Sequence, residues 1–425
     1  MKSKTKLVER FFRYAAVESQ SKAGVSQIPS TPGQMALAKL LQQELKEMGI
    51  RDTKLTEEAI LIAKIEANLP DGFSGSVPAI GFLAHLDTVD VHMNPNIKPQ
   101  IVEKYDGQDI LLNKGQDIWI RRAEHPELLS YIGQDIIVSD GTSVLGADDK
   151  AAIASIMTAV ERMKDDPSLY HGDIFIAFVP DEEIGLLGAK AMDLKDFPVE
   201  FAYTLDCCEI GEVVYETFNA GSAVIKIKGV TAHPMSAKGV LVNPSLVAND
   251  IINHFDKKDT PEHTDGKMGY FLISGITANP NTAVVNINIR DHDKNLYEAR
   301  KTYIADLMKL IAARHPKAEI SFEIKDRYSN IADSLTEENK QCIDYIYQAM
   351  ERLGIPPKTL AMRGGTDGSA LSARGIPTPN FFTGAHNFHS NCEFLPVDSF
   401  EQSCRMILTI AQLVSGIDKQ ATNQR

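Results

Sequence analysis

Asp173-Ile174-Phe175-Ile176-Ala177-Phe178-Val179-Pro180-Asp181-Glu182-Glu183 decides the fold: an unbroken apolar run stops at a proline and opens into three acids. The run reads as a strand buried on both faces. Working outward, residues 60–67 and 79–84 also read as strands, the second ending in polar His85-Leu86-Asp87-Thr88. Residues 201–205 form another that ends at Asp206. Helical patterns alternate with these strands: an opening helix over 1–17, a second over 34–48 that stops at Gly49, and a strong run over 151–164 introduced by Gly146-Ala147-Asp148-Asp149-Lys150. This alternation predicts an α/β fold with a sheet whose strand ends carry the chemistry, since ligands in such sheets gather beyond the carboxyl ends of the strands.

The pattern changes between about 214 and 327. Strand 222–228, helix 244–255, strands 270–276 and 283–290, helix 296–314 and strand 319–325 follow one another, and that β-α-β-β-α-β order is a ferredoxin-like α+β module complete in itself. The α/β pattern then resumes with helix 337–353, strand 359–361, helix 369–373 and a last helix over 398–414. The expected architecture is a discontinuous main domain over 1–213 and 330–425 that carries an inserted lid over 214–329. Residues 90–139, rich in Asn, Pro, Gln and Gly, read as a long irregular excursion with a short hairpin.

Composition narrows the function classes. With 425 residues, 43% hydrophobic and 24% charged, the chain has ample material for two cores. Its 57 acidic against 44 basic residues give a formal net charge of -13, which disfavours nucleic acid or an anionic membrane as partner. Five cysteines without a recurring metal spacing argue against a disulfide framework and against a zinc finger. The first twenty residues lack the apolar run of a secretory signal, and no stretch is long and apolar enough to span a bilayer, so the expected address is the cytoplasm.

Acids and histidines recur where strands end: His85 with Asp87, Asp148, Glu182 with Glu183, and Asp206, with His386 and His389 late in the chain. Residues two apart on a strand share a face, so His85 and Asp87 can converge. Carboxylates and imidazoles without thiolates form the donor set of a catalytic zinc, cobalt or manganese site. Each cluster alone also has an ordinary reading: Asp148-Asp149 before a helix is common N-terminal capping, and Glu182-Glu183 could be a solvated loop. Their shared position at one end of one sheet favours a joint metal site, in which adjacent Glu182 and Glu183 divide proton handling from metal binding.

His85-Leu86-Asp87, Gly146-Ala147-Asp148-Asp149-Lys150, Pro180-Asp181-Glu182-Glu183-Ile184-Gly185 and Thr204-Leu205-Asp206 together resemble the co-catalytic zinc peptidases that include carboxypeptidase G. His233-Pro234, Ala237-Lys238-Gly239 and Arg363-Gly364-Gly365-Thr366-Asp367-Gly368 make the likeness greatest to the tripeptide aminopeptidases of that family, over nearly the whole chain. The resemblance implies a di-zinc exopeptidase domain with a ferredoxin-like lid, acting on short peptides, with two Zn2+ per subunit and Co2+ or Mn2+ as substitutes. It implies His85 and Asp206 on one ion, Glu183 and His389 on the other, Asp148 bridging, Glu182 as general base and Asp87 orienting His85. His389 rather than His386 is the implied ligand, because a glutamate, Glu393, follows four residues on. His233 would donate to the oxyanion, Arg290 and Arg363 would hold the peptide carboxylate, and Asn281 and Lys238 would assist. A homodimer through the lid is a further implication. Cys207-Cys208 and Asn391-Cys392 depart from the family pattern without removing a ligand. A dipeptidase or N-acyl amino acid amidohydrolase of the same family, or a non-catalytic binding homologue, are the rival readings.

Overall fold

The computed structural model describes residues 2–417. The first residue of the expected opening helix lies outside them; the helix is present as Lys2–Ala15, and Ala16 and Val17 lie beyond its end. The chain divides into two units, one running to Tyr215 with Leu335–Leu360 and the residues from Thr366 onward, the other comprising Glu216–Ser334 with Ala361–Gly365.

The first unit is built on an eight-stranded sheet in the order Thr53–Leu55, Leu61–Ile65, Ile174–Val179, Ile80–His85, Phe201–Cys207, Asn380–Phe382, Glu212–Glu216, Lys358–Ala361. Four central strands run parallel, Ile80–His85 pairing with both Ile174–Val179 and Phe201–Cys207, and Asn380–Phe382 pairing with the latter. Register does the positioning. His85 stands opposite Val179, so the acids after Val179 begin where the histidine strand ends, and Cys207, next to Asp206, stands opposite Phe382. The helix Ala147–Asp165 is buried along nearly its whole first four turns, which its small residues Ala151, Ala152, Ala154 and Ala159 permit by letting neighbours approach closely. It packs against the sheet and against the helices Lys2–Ala15 and Val397–Ser415.

The excursion over 90–139 is more regular than its composition suggested. The expected hairpin is present as Ile110–Asn113 with Ile118–Ile120, and a second small sheet joins Gln100–Val102, Ile136–Val138 and Phe394–Pro396. Tyr105, Ile110, Leu112, Ile120, Leu128, Tyr131 and Phe394 give this part a core of its own. Three-residue strands carry too little periodicity to be read from sequence.

The second unit contains an antiparallel sheet in the order Tyr270–Ala278, Thr282–Asp291, Asn219–Lys228, Glu319–Tyr328, with the helices Pro244–Ile252 and Lys294–Arg314. This is the ferredoxin-like arrangement. Thr282–Asp291 alternates buried and part-buried residues along its length, and Val285, Ile287 and Ile289 meet Ile225, Ile227, Ile304, Leu307 and Ile311 in one core. Among the described residues, no helix is long and apolar enough to cross a membrane.

Candidate metal centre

His85 closes its strand with a ring that is 2% exposed. Its Nε2 lies 2.9 Å from Asp148 Oδ1, while Nδ1 faces the Asp87 carbonyl oxygen at 2.9 Å and Asp87 Oδ1 at 3.4 Å. Asp87 has a larger task than the ring alone. Its fully buried carboxylate accepts the backbone N–H groups of Glu182 at 3.0 Å and Glu183 at 3.2 Å, so one side chain ties the ends of two neighbouring strands together. From the other side Asp181 steadies the same turn: its oxygens accept the Ser30 N–H at 2.7 Å and Gln34 Nε2 at 2.7 Å, and its own N–H donates to Gln34 Oε1 at 2.9 Å.

Asp148 sits at the start of the long buried helix, before its dihedrals become regular, and a cis peptide joins it to Asp149. Gly146 precedes it with φ 69, a left-handed conformation that glycine adopts without steric cost, and an added Cβ there would meet Ile97 and Thr88. The two oxygens of Asp148 face different imidazoles: Oδ1 faces His85, and Oδ2 lies 3.0 Å from His389 Nε2. That same nitrogen is 2.9 Å from Glu183 Oε1. Glu393, four residues after His389, accepts the N–H groups of Leu145, Gly146 and Asp148 and so fixes the turn that presents the shared carboxylate. Lys150, wholly buried, donates to the Val17 carbonyl oxygen at 2.7 Å.

Among the described residues, three sets of donor atoms approach within 4.8 Å: His85, Asp148, Asp149 and Asp206; Asp148, Glu183 and His389; and His85, Glu182 and Glu183. Asp148 belongs to two of them. Burial pushes Glu183 up to about 7, with Asp148 adding repulsion, and burial likewise raises Glu182, Asp206 and Asp149 well above the usual carboxylate range. Hydrogen bonding to Asp148 and Glu183 lifts His389 to about 10. Burial opposes charge on His85, yet Asp148 and Asp87 outweigh it and raise that imidazole too. So much buried negative charge, balanced here by two imidazoles, is a place that fits divalent cations. The donors are all oxygen and nitrogen. Burial holds the thiols of Cys207 and Cys208 well above their ordinary range, so neither offers a thiolate.

The structure thus brings together His85, Asp87, Asp148, Glu182, Glu183, Asp206 and His389. His386 lies elsewhere: its Nε2 meets the Tyr131 hydroxyl at 2.7 Å, its ring stacks on Phe394 at 4.7 Å, and burial pulls it down to about 4. In the second unit, the Arg290 guanidinium donates to the carbonyl oxygens of Gly221 and Ile289. Arg363 donates to the Gly266 and Met268 carbonyl oxygens and to Thr264 Oγ1, and stacks over Phe218 and Tyr270. His233, Lys238 and Asn281 are exposed, His233 Nδ1 accepting the Met235 N–H at 3.2 Å.

Sequence reasoning passed over two carboxylates. Asp149, whose Oδ2 accepts the His85 N–H at 3.1 Å, was hidden behind its neighbour Asp148. Asp367, buried with both oxygens lacking a hydrogen-bond partner, was read only as part of a glycine-rich motif; burial pushes it up to about 7. An acid inside a Gly-Gly-Thr-Asp-Gly run was the available signal.

Parallel strand ends that present imidazoles and carboxylates around one shared aspartate define a metallohydrolase class. Within it, the chain belongs to peptidase family M20/M25/M40, whose model matches residues 146–413. A peptidase T-like protein of Rhizobium meliloti is 52% identical over 415 residues, covering 98% of this chain and 100% of that protein. Peptidase T of Fusobacterium nucleatum is 43% identical over 407 residues, covering 96% and 97%. The crystal structure of a tripeptidase from Staphylococcus aureus matches with a TM-score of 0.75 at 21% identity, covering 97% of this chain and 99% of that one, a likeness of fold.

Proposed function

We propose that this chain is a metal-dependent aminopeptidase that releases the N-terminal residue from tripeptides in the cytoplasm, using two zinc ions. The observation that carries the reading is Asp148, whose two oxygens face His85 and His389 from the centre of a buried acidic cluster. Relatives named for peptidase T, similar over almost their full length, support the substrate class. His85 and Asp206 would hold one ion, Glu183 and His389 the other, and Asp148 both.

Divalent ions held there would supply Lewis acidity toward a peptide carbonyl and toward water. Glu182 would accept a proton from the attacking water on its carboxylate and return it to the leaving amine. Its place is set by the Asp87 carboxylate, which holds the Glu182 N–H. Asp87 also keeps His85 Nδ1 engaged, leaving Nε2 directed at the centre. Donation to the oxyanion by His233, and recognition of the peptide carboxylate by Arg290 and Arg363 with Asn281 and Lys238, belong to the same proposal. So does a homodimer through the inserted unit, which sedimentation of the purified protein tests.

A panel of tripeptides, dipeptides and N-acetyl amino acids tests the assignment. Release of the first residue from tripeptides is expected, and turnover of acylated amino acids alone would overturn it.

A further inference from the structure

Asp367 is 2% exposed, and among the described residues neither of its carboxylate oxygens has a hydrogen-bond partner. It opens the short helix Asp367–Ser372, where an acid ordinarily serves the free N–H groups of the first turn. Here that work is done by others. Thr366 Oγ1 accepts the Gly368 N–H at 3.2 Å, and Ser369 Oγ accepts the Thr366 N–H at 3.3 Å. Lys190, whose attraction reaches Asp367, is exposed and donates its ammonium to the Gly185 carbonyl oxygen at 2.8 Å.

Its position is as telling as its lack of partners. Thr366 donates through Oγ1 to Asn380 Oδ1 at 2.9 Å, and Asn380 stands opposite Thr204, two residues before Asp206. The charges that act on Asp367 include His85, Asp87 and Glu183, and it acts in turn on Glu182 and Asp206. Yet it belongs to none of the three donor groups whose atoms approach within 4.8 Å. A buried carboxylate left unpaired beside a cation-holding cluster is costly unless a cationic group completes it.

An aminopeptidase substrate brings such a group. Its α-ammonium offers three donors and is one carbon away from the scissile carbonyl, so whatever recognises it must stand at the edge of the reacting centre. We propose that Asp367 receives the free α-ammonium group of the peptide's first residue and thereby restricts cleavage to that end. The proposal rests on the aminopeptidase reading and adds the group that makes it an exopeptidase. A peptide without the amine would leave the carboxylate buried and unpaired, the situation in which sites discriminate most strongly.

Calorimetry on metal-loaded Glu182→Ala protein, with Ala-Gly-Gly and its des-amino analogue propionyl-Gly-Gly, provides the test. The des-amino ligand is expected to bind ~100-fold more weakly. In Glu182→Ala/Asp367→Asn the two ligands should bind within ~3-fold of each other with metal content unchanged, and Asp367→Ser serves as the second variant. Equal binding by the Glu182→Ala protein, a preference that survives at both Asp367 variants, or loss of an ion with either would each overturn the proposal. Hydrolysis of Ala-Gly-Gly by the unaltered enzyme is followed separately: its absence sinks the aminopeptidase reading, while the binding ratio still judges Asp367.

Discussion

The two units treat their charges in opposite ways. In the first, Asp149, Glu182, Glu183, Asp206 and Asp367 are crowded and raised by burial, with few protein cations to answer them. In the second, Arg290 and Arg363 are already committed to backbone carbonyls and aromatic rings of their own unit. Charge left uncompensated beyond the carboxyl ends of the parallel strands marks where a ligand must complete the protein, whereas Arg290 and Arg363 are held in place by their own unit before any ligand arrives.

Glu182→Ala breaks the first half of the contrast most sharply. If Glu182 carries the proton as proposed, its removal should cost ~10³-fold or more in kcat with metal content unchanged, as read by turnover assays beside metal analysis.

Chelation sharpens the comparison through pH. Glu183 and Asp367 rise from ordinary values of 4.5 and 3.8 to about 7, and His389 from 6.5 to about 10, so the folded metal-free protein binds more protons than the unfolded chain between those values. The stability these groups contribute is present below their ordinary values and lost as pH rises through the raised ones. Asp148, held low by His389 and His85 against the effect of burial, acts in the opposite sense only in strong acid. Denaturation of chelator-treated protein should therefore show stability falling from about pH 4 to about pH 10, and metal-loaded protein should show a flatter profile because ions replace the protons.

Arg363→Ala probes the second unit. Losing three hydrogen bonds and two ring contacts should lower stability by about 2 kcal/mol in chemical denaturation with metal content unchanged, and loss of the proposed contact with the peptide carboxylate should raise KM for tripeptides. The smallest effect belongs to Lys238→Ala and Asn281→Ala, exposed positions expected to shift stability by less than about 0.5 kcal/mol. Any consequence there should be in KM.

Much of this was legible in advance for a physical reason. Buried parallel strands such as Ile174–Val179 leave continuous apolar runs, and the polar residues that end them announce themselves by contrast. The β-α-β-β-α-β order of the inserted unit was equally plain because the strand Thr282–Asp291 alternates along its whole length and the helix Lys294–Arg314 is long. What stayed hidden lacked periodicity or looked ordinary. Asn380–Phe382 and Phe394–Pro396 are three residues each. Asp149 and Asp367 sit at helix starts, where acids are usual, and only the tertiary fold shows that Asp367 caps nothing.

In the proposed site two cations share Asp148, whose two oxygens face His85 and His389. Anomalous scattering from crystals grown with zinc tests it most directly. Two peaks are expected, one touching Asp148 and His85, the other Asp148 and His389; a map with no peak beside Asp148, or a single one, would contradict the account.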